Sequence, residues 1–462
     1  MRVLIISEAI APASAIASIR WTKIGKYLQK QHHVEVDILT TTKRYETTPH
    51  AGSYLFDENL EKDLIYFSKV HEIPEGLRYR LVNWLFRTVE KITNKSNPSD
   101  SDSAKLNGHS DEKNTKNQNE TFKHIYLTLY GRLLRIKGCS ICHRAKLMKI
   151  DWKSYDAIIS SFSPRWVHLL GKWIKNKYPE LVWIADYRDS AISIVDVPSK
   201  EKSKFAQIYT NSADCVIGVS QGVLDNLQIP RFQNNGVITN GFDPEDLSKR
   251  FRTKKDKFIV SYTGTLYNEG ECRRDITPFL SAISELGLAK EIDLSKVLLV
   301  YAGGSSDIFN AQMEQYKSVI PHSDMGFISR ADSYELQESS SILLLCTWNT
   351  RKMQGVVTGK IFEYFSSYVP IVGLCSGDVE NSTVKEMLEK TQTGFCFEEA
   401  AKTVDYLKLK QFIKAQYQIW EETGFSSCPT NVESIASFGF DHIANSVFQI
   451  ILSLKKGEQT SE

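Results

Sequence analysis

Several short segments place glycine or charged residues directly after apolar runs, where a parallel sheet would deliver them to a ligand. Thr358-Gly359-Lys360 leads into Ile361-Phe362-Glu363-Tyr364 and reads as a helix start. The N–H groups of such a start can hold a phosphate, and the helix dipole adds to the attraction. Lys360 puts a cation in that first turn, where a helix alone favours an anion; an anion lying between the two fits this placement. Tyr262-Thr263-Gly264-Thr265 and Tyr301-Ala302-Gly303-Gly304 each carry a strand into a glycine turn. Trp183-Ile184-Ala185-Asp186-Tyr187-Arg188-Asp189 runs a strand into a charged turn, where Arg188 is either an ion-pair anchor shaping the loop or a cation at a cleft. Arg273 and Arg274 follow the Gly264 turn; either can clamp a phosphate, or the pair forms the basic first turn of a solvated helix. Ser163-Pro164-Arg165 follows another apolar run, and His168, one helical turn on, reads as a helix-surface or packing histidine rather than a catalytic one.

These residues need sheets to position them, and the chain supplies two series. The first has strands at 3–7, 34–39, 157–161, 182–185, 215–219 and 237–238, with helices near 17–30, 166–177 and 202–212. The second has strands at 258–263, 297–302, 325–328, 342–346 and 371–374, separated by helical patterns. The expected fold is α/β: two doubly wound Rossmann-like domains, 1–242 and 258–431, facing a cleft. Residues 243–257 read as a charged linker. Residues 432–455 read as one C-terminal helix packing back toward the first domain. Residues 93–121 have only Ala104 and Leu106 as apolar side chains and are expected to form a disordered polar insertion.

The length of 462 residues fits two or three domains at roughly 150 residues each. With 57 Lys+Arg against 55 Asp+Glu, the net charge of +2 argues against a dedicated nucleic-acid binder. Of the eight cysteines only Cys139 and Cys142 lie close together, with no second pair to complete a zinc site, so free thiols in a reducing compartment are expected. Asp100-Ser101-Asp102 spells an Asp-x-Asp but lies in the polar insertion, where no strand would position metal ligands; no metal is expected. The short apolar start reads as a first strand, and no apolar run is long enough to span a bilayer. A cytoplasmic protein is expected, or one seated on the cytosolic face of a membrane.

The segments together resemble the retaining glycosyltransferases of family 4, which have the two-domain GT-B fold. The resemblance rests on Gly359 to Tyr364, the Asp186 to Asp189 turn, Asp214 to Ser220, Thr239-Asn240-Gly241-Phe242-Asp243 and the Gly264 turn, in the family's order. It implies a nucleotide-diphosphate sugar as donor substrate, bound mainly on the second domain, and a saccharide or lipid-linked hydroxyl acceptor on the first. The implied donor-binding set is Glu363, Gly359, Thr358, Gly264, Thr265, Gly303 and Ser14, with Glu363 taking the ribose hydroxyls. With the residues read above, the candidate catalytic set is Lys360, Arg188 and Arg273. Many family members carry a second Glu eight residues before the ribose-binding one, near the transferred sugar; here that position is Gly355. The family's Gly-Gly loop after the first strand is replaced by Ala13-Ser14-Ala15. A nucleotide-sugar 2-epimerase on the same fold, or a GT-B subunit without turnover, are the alternatives.

Two stretches lie outside this reading. Residues 122–153 hold eight Lys/Arg against Asp151 alone, interleaved with Ile125, Leu129, Leu133, Leu134 and Ile136 at helical spacing. Residues 77–91 combine Arg78, Arg80, Arg87 and Lys91 with Leu81, Trp84, Leu85 and Val89. Basic amphipathic helices of this kind suit an anionic membrane surface, or are core helices with a solvated basic face.

Overall fold

The computed structural model describes residues 1–41, 56–74, 112–188, 204–227, 234–247, 254–270 and 272–459, with positions 76, 77, 80, 81, 84 and 229. The first domain is built on seven strands: β1 (Arg2–Ile6), β2 (Glu35–Thr41), β3 (Lys69–Ile73), β4 (Ala157–Phe162), β5 (Val182–Tyr187), β6 (Cys215–Gly218) and β7 (Asn234–Val237). They form one parallel sheet in the order β3-β2-β1-β4-β5-β6-β7. In the second domain β8 (Phe258–Thr263) precedes a small antiparallel hairpin, β9 (Tyr267–Glu269) and β10 (Cys272–Arg274). Then come β11 (Val297–Ala302), β12 (His322–Asp324), β13 (Ile342–Trp348), β14 (Ile371–Ser376) and β15 (Gly394–Glu398). This sheet is also parallel, in the order β12-β11-β8-β13-β14-β15.

Central strands such as β4 and β5 are buried at every residue, which is why they read as continuous apolar runs rather than as alternation. One face of the first sheet packs Trp166, Leu170, Ile174 and Phe205. The other packs Ile24 and Leu28 of the Ile16–His32 helix together with Ile443, Val447 and Ile451 of the Phe440–Gln459 helix. The chain therefore leaves the first domain and returns to it. At the crossing Phe242 and Gly439 form a parallel bridge, while Phe438 stays with the second domain, its ring centroid 5.6 Å from Phe362 and 5.4 Å from Phe365.

The structure departs from the sequence expectations at several points. The C-terminal helix is two, Val432–Ala436 and Phe440–Gln459, because the chain changes domains at Phe438-Gly439. The strand expected at 325–328 lies earlier, as β12: Gly326 has φ +61° and ends the pairing, leaving Met325 and Phe327 exposed. The strand at 237–238 is likewise earlier, as β7, and β3 and β15 complete the sheet edges beyond the predicted strands. Residues 112–121 of the polar insertion begin the long Glu112–Leu147 helix, since an existing helix extends at small cost through Glu, Lys and Gln. The rest of the insertion, Asp100 to Asp102 included, most of 77–91, Asp189, and 248–253 of the linker lie outside the described residues.

Candidate functional site

The carboxyl ends of both sheets face one cleft of about 1010 Å³. Its lining brings together Arg188 after β5, Gly264 and Thr265 after β8, Arg274 of β10, and Thr358 and Gly359 ahead of the Lys360–Phe365 helix with Lys360 as its first residue. Arg188, Arg274 and Lys360 are three cations, and no carboxylate is among the described lining residues. Such a lining in a half-enclosed space favours an anion carrying more than one charge.

Each cation is held by its surroundings. Arg188 Nη2 donates to the Ser163 carbonyl at 2.5 Å, which ties the turn after β5 to the one after β4. Arg274 Nη1 donates to the Thr265 carbonyl at 2.9 Å, and its guanidinium lies 4.8 Å from the Tyr267 ring centroid. Lys360 Nζ pairs with Glu363 Oε2 at 2.8 Å, one turn along the same helix. That helix has six residues and no side-chain cap, so its local N–H groups and Lys360, rather than a large macrodipole, make the positive end. Thr358 Oγ1 is buried there without a hydrogen-bond partner. Gly264 has φ +151°, reserved for glycine, and lets the backbone turn at the cleft wall. Tyr262, Tyr364 and Cys346 also line the cleft, and burial holds their protons on well above the ordinary ranges.

Not every predicted residue reaches the cleft. Of the adjacent arginines it is Arg274 that lines it; Arg273 points to the other side of β10, pairs with Glu399 and lines a separate cavity. The alternation of a strand separates the two. Gly303 supports the site from behind: a Cβ there would lie 2.0 Å from the Gly264 carbonyl oxygen. Ser14 is not in the lining, but its neighbours Ile16 and Ala17 are, and Ile16 packs on Gly359 so tightly that a Cβ on that glycine would lie 2.2 Å from Ile16 Cδ1. Glu363 faces a small adjoining pocket, which shares Ile16, Asn240 and Gly359 with the cleft.

Gly355 has a distinct role. With φ +72°, it meets Gly222 of the first domain backbone to backbone; a Cβ on Gly355 would lie 2.6 Å from the Gly222 Cα. Ser220 Oγ caps the short helix beginning at Gln221 and also donates to the Gly355 carbonyl at 2.7 Å. The two domains touch here with no room for a side chain between them.

Sequence reasoning missed the buried charges that hold the cleft's first-domain wall. Arg20 is fully buried, pairs with Asp186 at 2.8 Å, and donates to the carbonyls of Ile238 and Thr239 and to Asn240 Oδ1. Trp21 Nε1 and Ser161 Oγ donate to the same Asp186 carboxylate. Removing one partner would strand a charge in the core, at about 3–5 kcal/mol. Beside it Lys23 and Lys26 share Asp63 and Asp243, and these cations hold Asp243 well below the usual carboxylate range against the opposing effect of burial. His168 is a core residue: Nδ1 meets Ser160 Oγ at 2.8 Å, the ring stacks on Phe162, and burial pushes its pKa down to about 3.

No protein-family model and no curated protein matches the sequence. Solved structures do match it in fold. A UDP-forming alpha,alpha-trehalose-phosphate synthase from Burkholderia vietnamiensis superposes at TM-score 0.57 with 9% identity over 99% of both chains. TarM of S. aureus superposes at 0.52 with 11% identity, over 97% of this chain and 99% of its own. An E. coli trehalose-6-phosphate structure superposes at 0.53 with 9% identity, over 98% and 99%. The architecture is thus the two-domain α/β arrangement of the GT-B glycosyltransferase fold. At these identities the likeness speaks for the fold, and the chemistry must be argued from the site.

Proposed function

We propose that this chain is a retaining glycosyltransferase of the family-4 kind, moving a sugar from a nucleotide-diphosphate sugar to a hydroxyl acceptor. The observation that carries the reading is the cleft itself: three cations, a glycine turn and an uncapped helix start converge between two domains, with no carboxylate in the described lining. A diphosphate is the leaving group such a lining would stabilise, and holding the charge that develops on a leaving group contributes most of the rate gain in catalysis of this kind. In support, two of the similarly folded structures hold nucleotides, TarM with UDP and the E. coli structure with UDP-2-fluoro glucose.

In this reading Lys360, Arg188 and Arg274 surround the diphosphate and Glu363 takes the ribose hydroxyls. The bond from the sugar's anomeric carbon to the diphosphate oxygen breaks, and its electron pair stays on that oxygen. The acceptor hydroxyl then bonds to the same carbon from the same face, and its proton passes to the departing diphosphate. Tyr364 and Cys346 keep their protons and take no part as bases.

The acceptor side we assign to the first domain, with a saccharide or lipid-linked acceptor in surface polysaccharide or glycolipid assembly. Among the described residues no helix is long and apolar enough to cross a membrane. A peripheral attachment to anionic lipid is supported by Leu77 and Trp84, 86% and 61% exposed, and by Ile136, 51% exposed between Arg135 and Lys137.

The test is nucleotide release from a panel of nucleotide sugars, with and without hydroxyl acceptors, followed by the anomeric configuration of the product. Acceptor-dependent release with retained configuration is expected. Release or epimerisation that ignores acceptors would overturn the transferase reading in favour of an epimerase, and donor binding without any turnover would leave a non-catalytic subunit.

A further inference from the structure

A cation in a helix's first turn works against the helix's own polarity, so Arg330, which opens the Arg330–Glu338 helix of the second domain, needs a counter-charge. It finds one in the other domain. Arg330 Nη1 donates to Asp57 Oδ2 at 2.9 Å, while Nε and Nη2 donate to Tyr334 Oη at 2.9 and 2.6 Å. Arg330 and Tyr334 also line the cavity that Glu363 faces, and the Glu363 charge acts on the guanidinium.

Asp57 is as firmly tied on its own side. Its N–H donates to the Pro12 carbonyl at 2.8 Å, Phe56 bridges Ala13, and Oδ1 accepts from the N–H groups of Asn59 and Leu60, both at 3.0 Å. Asp57 therefore moves with the Ala13-Ser14-Ala15 loop, and Arg330 moves with the elements around Glu363. Only a planar fork can hold Asp57 and Tyr334 in fixed directions at once, which a lysine ammonium cannot do.

We infer that Arg330 is a positioning residue: its pair with Asp57 joins the first-domain loop after β1 to the Glu363 side of the second domain, so that the two halves of the nucleotide site are set by one interdomain clasp. The inference deepens the donor-site reading and rests on Glu363 contacting the nucleotide. It follows that nucleotide affinity depends on Asp57, a carboxylate that lies outside the cleft lining.

The experiment is calorimetric titration of the full chain with UDP, GDP, ADP, CDP and dTDP, repeated on Asp57→Asn, Arg330→Met, Arg330→Lys and the Asp57→Asn/Arg330→Met double variant. Asp57→Asn keeps the oxygen that caps the following helix, so it carries the test even if Arg330→Met does not fold. For the nucleotide that binds the parent, each single change is expected to weaken binding about tenfold, within the range typical of coupled sites, and the double variant no further. Arg330→Lys, which keeps the charge but not the fork, should fall between. Parental affinity in a folded Asp57→Asn protein would overturn the inference, as would losses that multiply in the double variant. A cooperatively melting parent that binds none of the five nucleotides would overturn the donor-site reading, and this inference with it.

Discussion

Replacing Lys360 by Met separates its structural contribution from its chemical one. The ammonium pairs with Glu363 at 2.8 Å, but the two side chains are 31% and 17% exposed, so solvent screens the attraction. An i,i+3 pair of this exposure is worth at most about 1 kcal/mol. The same cation sits in a helix's first turn, an arrangement unfavourable by roughly 0.3–1 kcal/mol. The two nearly cancel, and Met keeps the apolar stem, so unfolding free energy should change by under about 1 kcal/mol. If the ammonium instead meets the charge that develops on the leaving diphosphate, its loss should lower kcat about 10²–10³-fold. The assay is nucleotide release under saturating donor, run beside thermal unfolding of the same preparation. Near-parental kcat in a normally melting variant would refute the assignment. So would a loss of activity matched by collapse of the fold, since the charge would then be structural.

Glu363→Ala should weaken nucleotide binding by about 1.5–3 kcal/mol, the worth of a charged acceptor, with the fold intact; unchanged titration curves would count against the ribose role. His168 contributes to acid sensitivity. The unfolded histidine takes its proton near pH 6.5 and the folded one only near 3, so stability is full above 6.5 and declines as pH falls between these values. Between pH 7 and pH 5 this amounts to about 2 kcal/mol, which His168→Gln should abolish in urea titrations; equal acid sensitivity of both proteins would contradict it. Attachment to anionic vesicles should need anionic lipid, fall with added salt and weaken in Arg132/Arg135/Lys137→Glu, given roughly 1 kcal/mol per near-surface cation. Equal co-sedimentation with neutral vesicles, or none with either, would show these residues to be a solvated face.

The sheets were legible because buried parallel strands leave continuous apolar runs, as in β1, β8 and β13, and because glycine turns follow them at Gly264 and Gly303. Strands at the edges were not: β3 is only partly buried, and β15 opens on a glycine and ends on a glutamate with its first two residues half-buried, so neither leaves a strong pattern. The cleft cations Arg188 and Lys360 could be found from their place after strands or at a helix start. The choice of Arg274 over Arg273 could not, because it depends on the β9–β10 hairpin and on which face of β10 meets the cleft. Least legible were Arg20, Lys23 and Lys26. Their helical spacing puts them on an inner face where charge looks misplaced, and their partners Asp186, Asp63 and Asp243 come from distant parts of the chain.

The Gly222–Gly355 contact also limits where this protein can go by mutation. A second carboxylate at 355 cannot be acquired in one step, because even the first carbon of a side chain would lie 2.6 Å from the facing Cα, on a backbone with φ +72°. The domains would have to part, and the Ser220–Gly355 hydrogen bond with them, before a glutamate could be accommodated. Side-chain exchange that leaves the two halves of the molecule in contact is open at lining positions away from this contact, such as Thr265. Lineages that share the glycine pair should diversify there and leave position 355 silent.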